Sequence, residues 1–70
     1  MTERIKLLDH IALLRDQDGW LAGTSGTVVD RLDDAAYVEL VGPDGKTVDT
    51  LTVPYEDLRV LRSGGRQVAV

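Results

Sequence analysis

Apolar and polar positions alternate along most of this chain in short runs, divided by turn-forming clusters. Asp16-Gln17-Asp18-Gly19, Gly23-Thr24-Ser25-Gly26, Asp33-Asp34, Gly42-Pro43-Asp44-Gly45, Pro54 and Ser63-Gly64-Gly65 interrupt it at close intervals. The runs between them are rich in Val, Leu, Ile, Thr and Tyr and leave no room for a long helix after residue 20. Several short strands at regular spacing predict an all-β sandwich or barrel.

The clearest local signal is Gly42-Pro43-Asp44-Gly45. Proline pre-sets φ for the second position of a type I turn, aspartate tolerates the third, and Gly45 takes the left-handed conformation that closes a bulged hairpin. Residues 36–41 alternate on its near side, with Ala36, Val38 and Leu40 on one face and Glu39 on the other. Residues 47–53 on its far side are β-branched and mostly polar at alternate positions, so the pair reads as two half-buried strands. Residues 27–32 form a further strand, with Asp33-Asp34 as its turn and Gly26 marking a sharp bend or a close backbone approach. Pro54-Tyr55-Glu56-Asp57-Leu58 reads as one helical turn with Pro54 at its first position, and residues 59–62 return as a last short strand.

The first fifteen residues fit two patterns. Ile5, Leu8 and Ile11 with Leu7 and Leu14 make a helical stripe, yet Asp9 to Arg15 also reads as a buried strand. A helix there would leave four strands and two open edges, whereas closing a barrel needs a fifth, so residues 9–15 are taken as a strand. Beyond Ser63-Gly64-Gly65, residues 63–70 form a C-terminal tail, either frayed or an added edge strand in which Val68 and Val70 alternate. The expected layout is a domain over 1–62 followed by that tail.

Composition narrows the function. Seventy residues, 43% of them apolar and none of them Cys or Phe, are enough for one small domain with a thin core. Without thiols, and with a single histidine, neither a disulfide nor a Cys/His metal site is expected, and the lack of cysteine fits a reducing cytoplasm. Eight Lys/Arg against twelve Asp/Glu give a formal charge of −4, which argues against a partner coated in phosphates. No apolar run reaches the roughly 18 residues that span a bilayer, and no secretory signal is visible.

The order of elements is that of an SH3-like small barrel. Lys6-Leu7-Leu8-Asp9, Ile11-Ala12-Leu13-Leu14 and Gly26-Thr27-Val28-Val29, followed by Tyr37-Val38-Glu39-Leu40, Asp44-Gly45-Lys46-Thr47, Leu51-Thr52-Val53-Pro54 and residues 57–61, stand in a characteristic order and spacing. Through them the chain resembles an uncharacterised family of small bacterial proteins, known only as a domain of unknown function. The resemblance covers most of residues 5–61. Members of that family usually carry Gly-Asp ahead of the Gly-Thr-Val-Val run, where this chain has Gly23-Thr24. The resemblance implies a five-stranded SH3-like barrel with a single helical turn before the last strand, and it leaves the activity open. Glycine before a Val-Val strand is also similar to the KOW-type barrels of transcription and ribosomal proteins.

Candidate chemistry is sparse. A nucleophile needs a base within hydrogen-bond reach, and the chain offers Ser25 and Ser63 in glycine-containing loops and the lone His10 in a strand, so no catalytic residue is assigned. Asp16-Gln17-Asp18-Gly19 has the look of a calcium loop, but its glycine comes two places early and Thr27 stands where the twelfth-position glutamate belongs, so it reads as an acidic solvated turn. Gly23-Thr24-Ser25-Gly26 lacks the Gly-Lys-Ser/Thr of a phosphate cradle and reads as a flexible loop. Arg59, Arg62 and Arg66, with three aromatics able to stack bases, favour nucleic acid, against acids in almost every loop. Those aromatics, Trp20, Tyr37 and Tyr55, are the candidate partner-binding residues. In an SH3-like barrel the segments carrying Trp20 and Tyr55 lie on one side, and Trp20 either caps the core or forms a contact surface.

The sequence therefore reads as a non-enzymatic, cytoplasmic protein-interaction module with no metal or cofactor. Its expected partner is a basic protein, in an antitoxin- or immunity-like or accessory role, or a second copy of itself. A KOW-like nucleic-acid-binding barrel is the alternative.

Overall fold

The computed structural model describes residues 5–62. They form β1 (His10–Leu13), β2 (Ser25–Arg31), β3 (Ala35–Val41), β4 (Val48–Pro54) and β5 (Leu58–Arg62), with a 3-10 turn over Tyr55–Asp57 between the last two. All neighbours are antiparallel, in the order β4-β3-β2-β1-β5. The all-β class, the five strands and the helical turn before the last one are as the sequence patterns predict. β4 and β5 stand at the edges and do not pair with each other, so the fifth strand completes the sheet without sealing it through hydrogen bonds.

Several boundaries differ from expectation. β1 is shorter than residues 9–15 at both ends: before it the chain turns, with the Asp9 N–H donating to the Lys6 carbonyl at 3.1 Å and Leu8 at φ 70°, and after it the chain bends at Leu14 and Arg15. A left-handed residue in the third position is the mark of a type II turn, a place that ordinarily calls for glycine. Asp9 Oδ2 accepts the Lys6 N–H at 2.9 Å, and this carboxylate is the charged side chain buried among the described residues, at 1% exposure. β2 begins at Ser25, so Gly23-Thr24-Ser25-Gly26 is not a flexible loop. Gly23 (φ 93°) closes a turn in which Thr24 N–H donates to Leu21 C=O, and the Thr24 carbonyl already accepts the Leu13 N–H at 2.9 Å. Pro54 is the last residue of β4 and precedes the 3-10 turn rather than opening it.

The core follows from the alternation. One register row runs across all five strands, through Asp49, Leu40, Gly26, Ile11 and Val60, and Leu51, Val38 and Val28 form a second row beside it. Ile11, Leu40, Val38 and Val28 are fully buried, and Trp20, Leu51, Tyr55 and Val60 pack partly buried against them. The predicted close approach at Gly26 is real: a Cβ there would lie 2.4 Å from the Glu39 carbonyl oxygen. The tail over 63–70 lies outside the described residues.

Candidate functional site

The long connection from β1 to β2 is tied down at every step. Gln17 and Trp20 exchange backbone hydrogen bonds of 2.8 and 2.7 Å around Asp18 (φ 44°) and Gly19 (φ 89°). Two central residues at positive φ make a type I′ turn, which Asp-Gly favours. Asp16 Oδ1 accepts the Ala22 N–H at 2.8 Å. Gln17 Nε2 donates to Asp57 Oδ2 at 3.0 Å, and Arg15 Nε lies 3.2 Å from the other Asp57 oxygen. The two acids that resemble a calcium loop thus serve as a backbone cap and a turn residue. Among the described residues no group of three or more His, Asp or Glu is placed to hold a metal ion.

This scaffold fixes Trp20. Its ring packs on the core, and its Nε1–H donates to Asp49 Oδ2 on β4 at 3.1 Å. An open groove of about 480 Å³ runs beside it, with Gly19, Trp20, Leu21 and Thr24 on one side and Val41, Gly42, Pro43, Asp44 and Thr47 of the β3–β4 hairpin on the other. Leu21 is 68% exposed and Val41 47%, so the walls are apolar and open to water.

The hairpin supplies the fixed charge. Gly45 (φ 73°) donates to the Gly42 carbonyl at 2.9 Å, as the turn residues predict. Asp44 Oδ1 accepts the N–H groups of Lys46 and Thr47, each at 2.9 Å, and Oδ2 accepts the Thr47 hydroxyl at 2.8 Å. The Thr47 and Lys46 N–H groups, then the hydroxyl, hold the Asp44 carboxyl below its ordinary 3.8. A group whose folded pKa is depressed stabilises the fold above the unfolded pKa and loses that contribution as pH falls through the folded value. Acid titration of the melting temperature is therefore expected to show a loss that begins near pH 3.8 and continues below it, and that is smaller in Asp44→Ala.

The family described as "Domain of unknown function (DUF4926)" matches residues 7–60. The chain belongs to that family. The match takes in every groove residue and all five strands as far as Val60. No curated protein and no solved structure matches the chain.

Within this DUF4926 domain the three candidate aromatics do not share one site. The segments carrying Trp20 and Tyr55 do meet, through Arg15 and Gln17 on Asp57, but their polar tips reach opposite ends of β3. The Trp20 indole lies at the Val41 end, whereas the Tyr55 hydroxyl donates to the Leu32 carbonyl at 2.6 Å and its N–H to Asp34 C=O, beside Ala35. Tyr37 stands 42% exposed on the outer face of β3, in register between Asp30 and Thr52. His10 is half-buried, paired with Thr27 and Arg62, and no hydrogen bond joins it to Ser25; Ser63 and Arg66 lie outside the described residues. Arg59 and Arg62 are exposed on β5, the opposite edge strand from β4.

Sequence reasoning missed Leu21, Asp44 and Asp49. The Asp18-Gly19 dipeptide was the available signal for a tight hairpin that would project Trp20 and Leu21 together. Nothing local marks Asp49, whose role depends on a tryptophan 29 residues away.

Proposed function

We propose that this DUF4926 domain is a non-enzymatic protein-interaction module of the SH3-like kind that receives a basic partner protein at the Trp20 groove. The observation that carries the reading is an apolar groove flanked by two anchored carboxylates, Asp44 on the hairpin and Asp49 on the indole N–H. A lysine or arginine entering it meets an aromatic face and negative charge together, a pairing that favours cations over neutral or anionic groups. The formal charge of −4 steers the same class of partner from a distance. An antitoxin- or immunity-like role, covering a basic protein, is one form this takes. The nucleic-acid alternative has less support, because the arginines of β5 and the three aromatics do not converge on one surface.

Leu21→Lys tests the reading. The side chain is 68% exposed, so its replacement is expected to leave stability within about ±0.5 kcal/mol. Affinity capture from native, nuclease-treated lysate is expected to return a basic protein with the wild type and to lose it with this variant. Equal recovery by both proteins refutes the groove, and recovery abolished by nuclease favours the nucleic-acid reading.

A further inference from the structure

We propose that β4 accepts an extended, lysine- or arginine-bearing segment of the partner protein as a sixth strand, and that the Asp49 carboxylate guards this edge until the segment displaces it. The proposal rests on the groove reading above and specifies how the partner is held.

The register defines the edge. Gly42 N–H donates to the Thr47 carbonyl at 2.7 Å, so in this antiparallel pair Asp49, Leu51 and Val53 bond to β3 while Val48, Thr50 and Thr52 turn their N–H and C=O groups outward. No described strand lies on that side. Pro54 continues the outward series but has no N–H, which confines strand addition to Val48–Thr52. An open row of this kind pairs readily with other chains unless something covers it.

Asp49 covers it at the centre. Its Oδ1 accepts the Thr50 N–H at 3.0 Å, the middle one of the three outward amides, while Oδ2 holds the Trp20 indole at 3.1 Å. The same device recurs where β2 runs on past its pairing with β1: Asp30 Oδ1 accepts the Arg31 N–H at 2.8 Å. At β4, however, the cap adjoins the groove, because Trp20 and Thr47 line the groove and flank Asp49. A cationic side chain on an incoming strand would therefore reach the carboxylate and the ring from the strand's own position. Its pull on Asp49 would free the Thr50 N–H for a backbone carbonyl of the partner. A second copy of this chain fits poorly, since two molecules of charge −4 pairing at this edge would bring their Asp49 carboxylates together.

The test uses the full chain and an acetylated, amidated Lys-Val-Lys-Val-Lys-Val peptide, with a control N-methylated at every residue so that neither edge of the peptide can pair. Emission of the single tryptophan reports groove occupancy, and amide exchange at Val48, Thr50 and Thr52 reports strand pairing. The parent peptide is expected to protect those amides, and the methylated control to bind at least about tenfold more weakly, the equivalent of one or two lost hydrogen bonds. Equal binding by both peptides overturns strand addition and leaves the groove reading standing. Binding by neither overturns both. Without peptide, Thr50 is expected to exchange about tenfold faster in Asp49→Ala, while Asp49→Asn, which keeps an oxygen acceptor, stays near wild type. Unchanged exchange in a folded Asp49→Ala overturns the guard.

Discussion

Gly26→Ala is expected to remove a large part of the stability of this domain and to lower its melting temperature by more than about ten degrees. The added methyl would sit 2.4 Å from the Glu39 carbonyl oxygen and 2.7 Å from Leu40 Cδ2. The leucine tip could swing aside, but the carbonyl belongs to β3, which is bonded to β2 on one side and β4 on the other. Relief therefore requires β2 and β3 to part where Gly26 faces Leu40, within the row that crosses the whole sheet. Overpacking of this kind costs about 3 kcal/mol or more when backbone must move. A chain of 70 residues has a total stability of about 4–10 kcal/mol. Circular dichroism against temperature is the measurement: a cooperative melt within a few degrees of wild type would show that the two strands can separate at little cost.

Ile11→Ala is expected to be nearly as damaging, through loss of contact. Ile11 is fully buried at the middle of β1, the four-residue strand that joins β2 to β5. Truncating a buried isoleucine to alanine costs about 2–5 kcal/mol, from lost transfer energy and the cavity left behind. The core has no phenylalanine, and the two larger side chains packed on it, Trp20 and Tyr55, are tied by hydrogen bonds to Asp49 and to the Leu32 carbonyl. Urea titration is expected to show a midpoint reduced by at least about a fifth with an unchanged slope. A midpoint at the wild-type value would mean that β1 does not hold the two halves of the sheet together.

The fold was largely legible because the signals that specify it are local. Gly42-Pro43-Asp44-Gly45 demanded a turn, and Gly45 does adopt φ 73°. Alternation over 36–41 placed Ala36, Val38 and Leu40 on the buried face. Ile5 to Leu14 was ambiguous because its apolar residues satisfy two periods, and only the need for a fifth strand decided it. Gly23-Thr24-Ser25-Gly26 reads as a loop because two glycines three residues apart look like slack, yet one closes a turn and the other fits under β3.

The candidate site was legible in part. Trp20 stood out as the single tryptophan of a chain poor in aromatics, but pairing it with Tyr55 as one surface did not anticipate where their polar tips go. By itself, then, the sequence determined the class of fold, the succession of its strands along the chain, the buried face of residues 36–41 and the formal charge of −4, since all of these depend on residue type and near spacing. Only the tertiary structure decided that a hairpin around Asp18-Gly19 carries Trp20 to the β3–β4 turn, and that Asp49 reaches both the indole and the Thr50 N–H. Those contacts join residues 29 positions apart through the curvature of the sheet and its register, which no local pattern encodes.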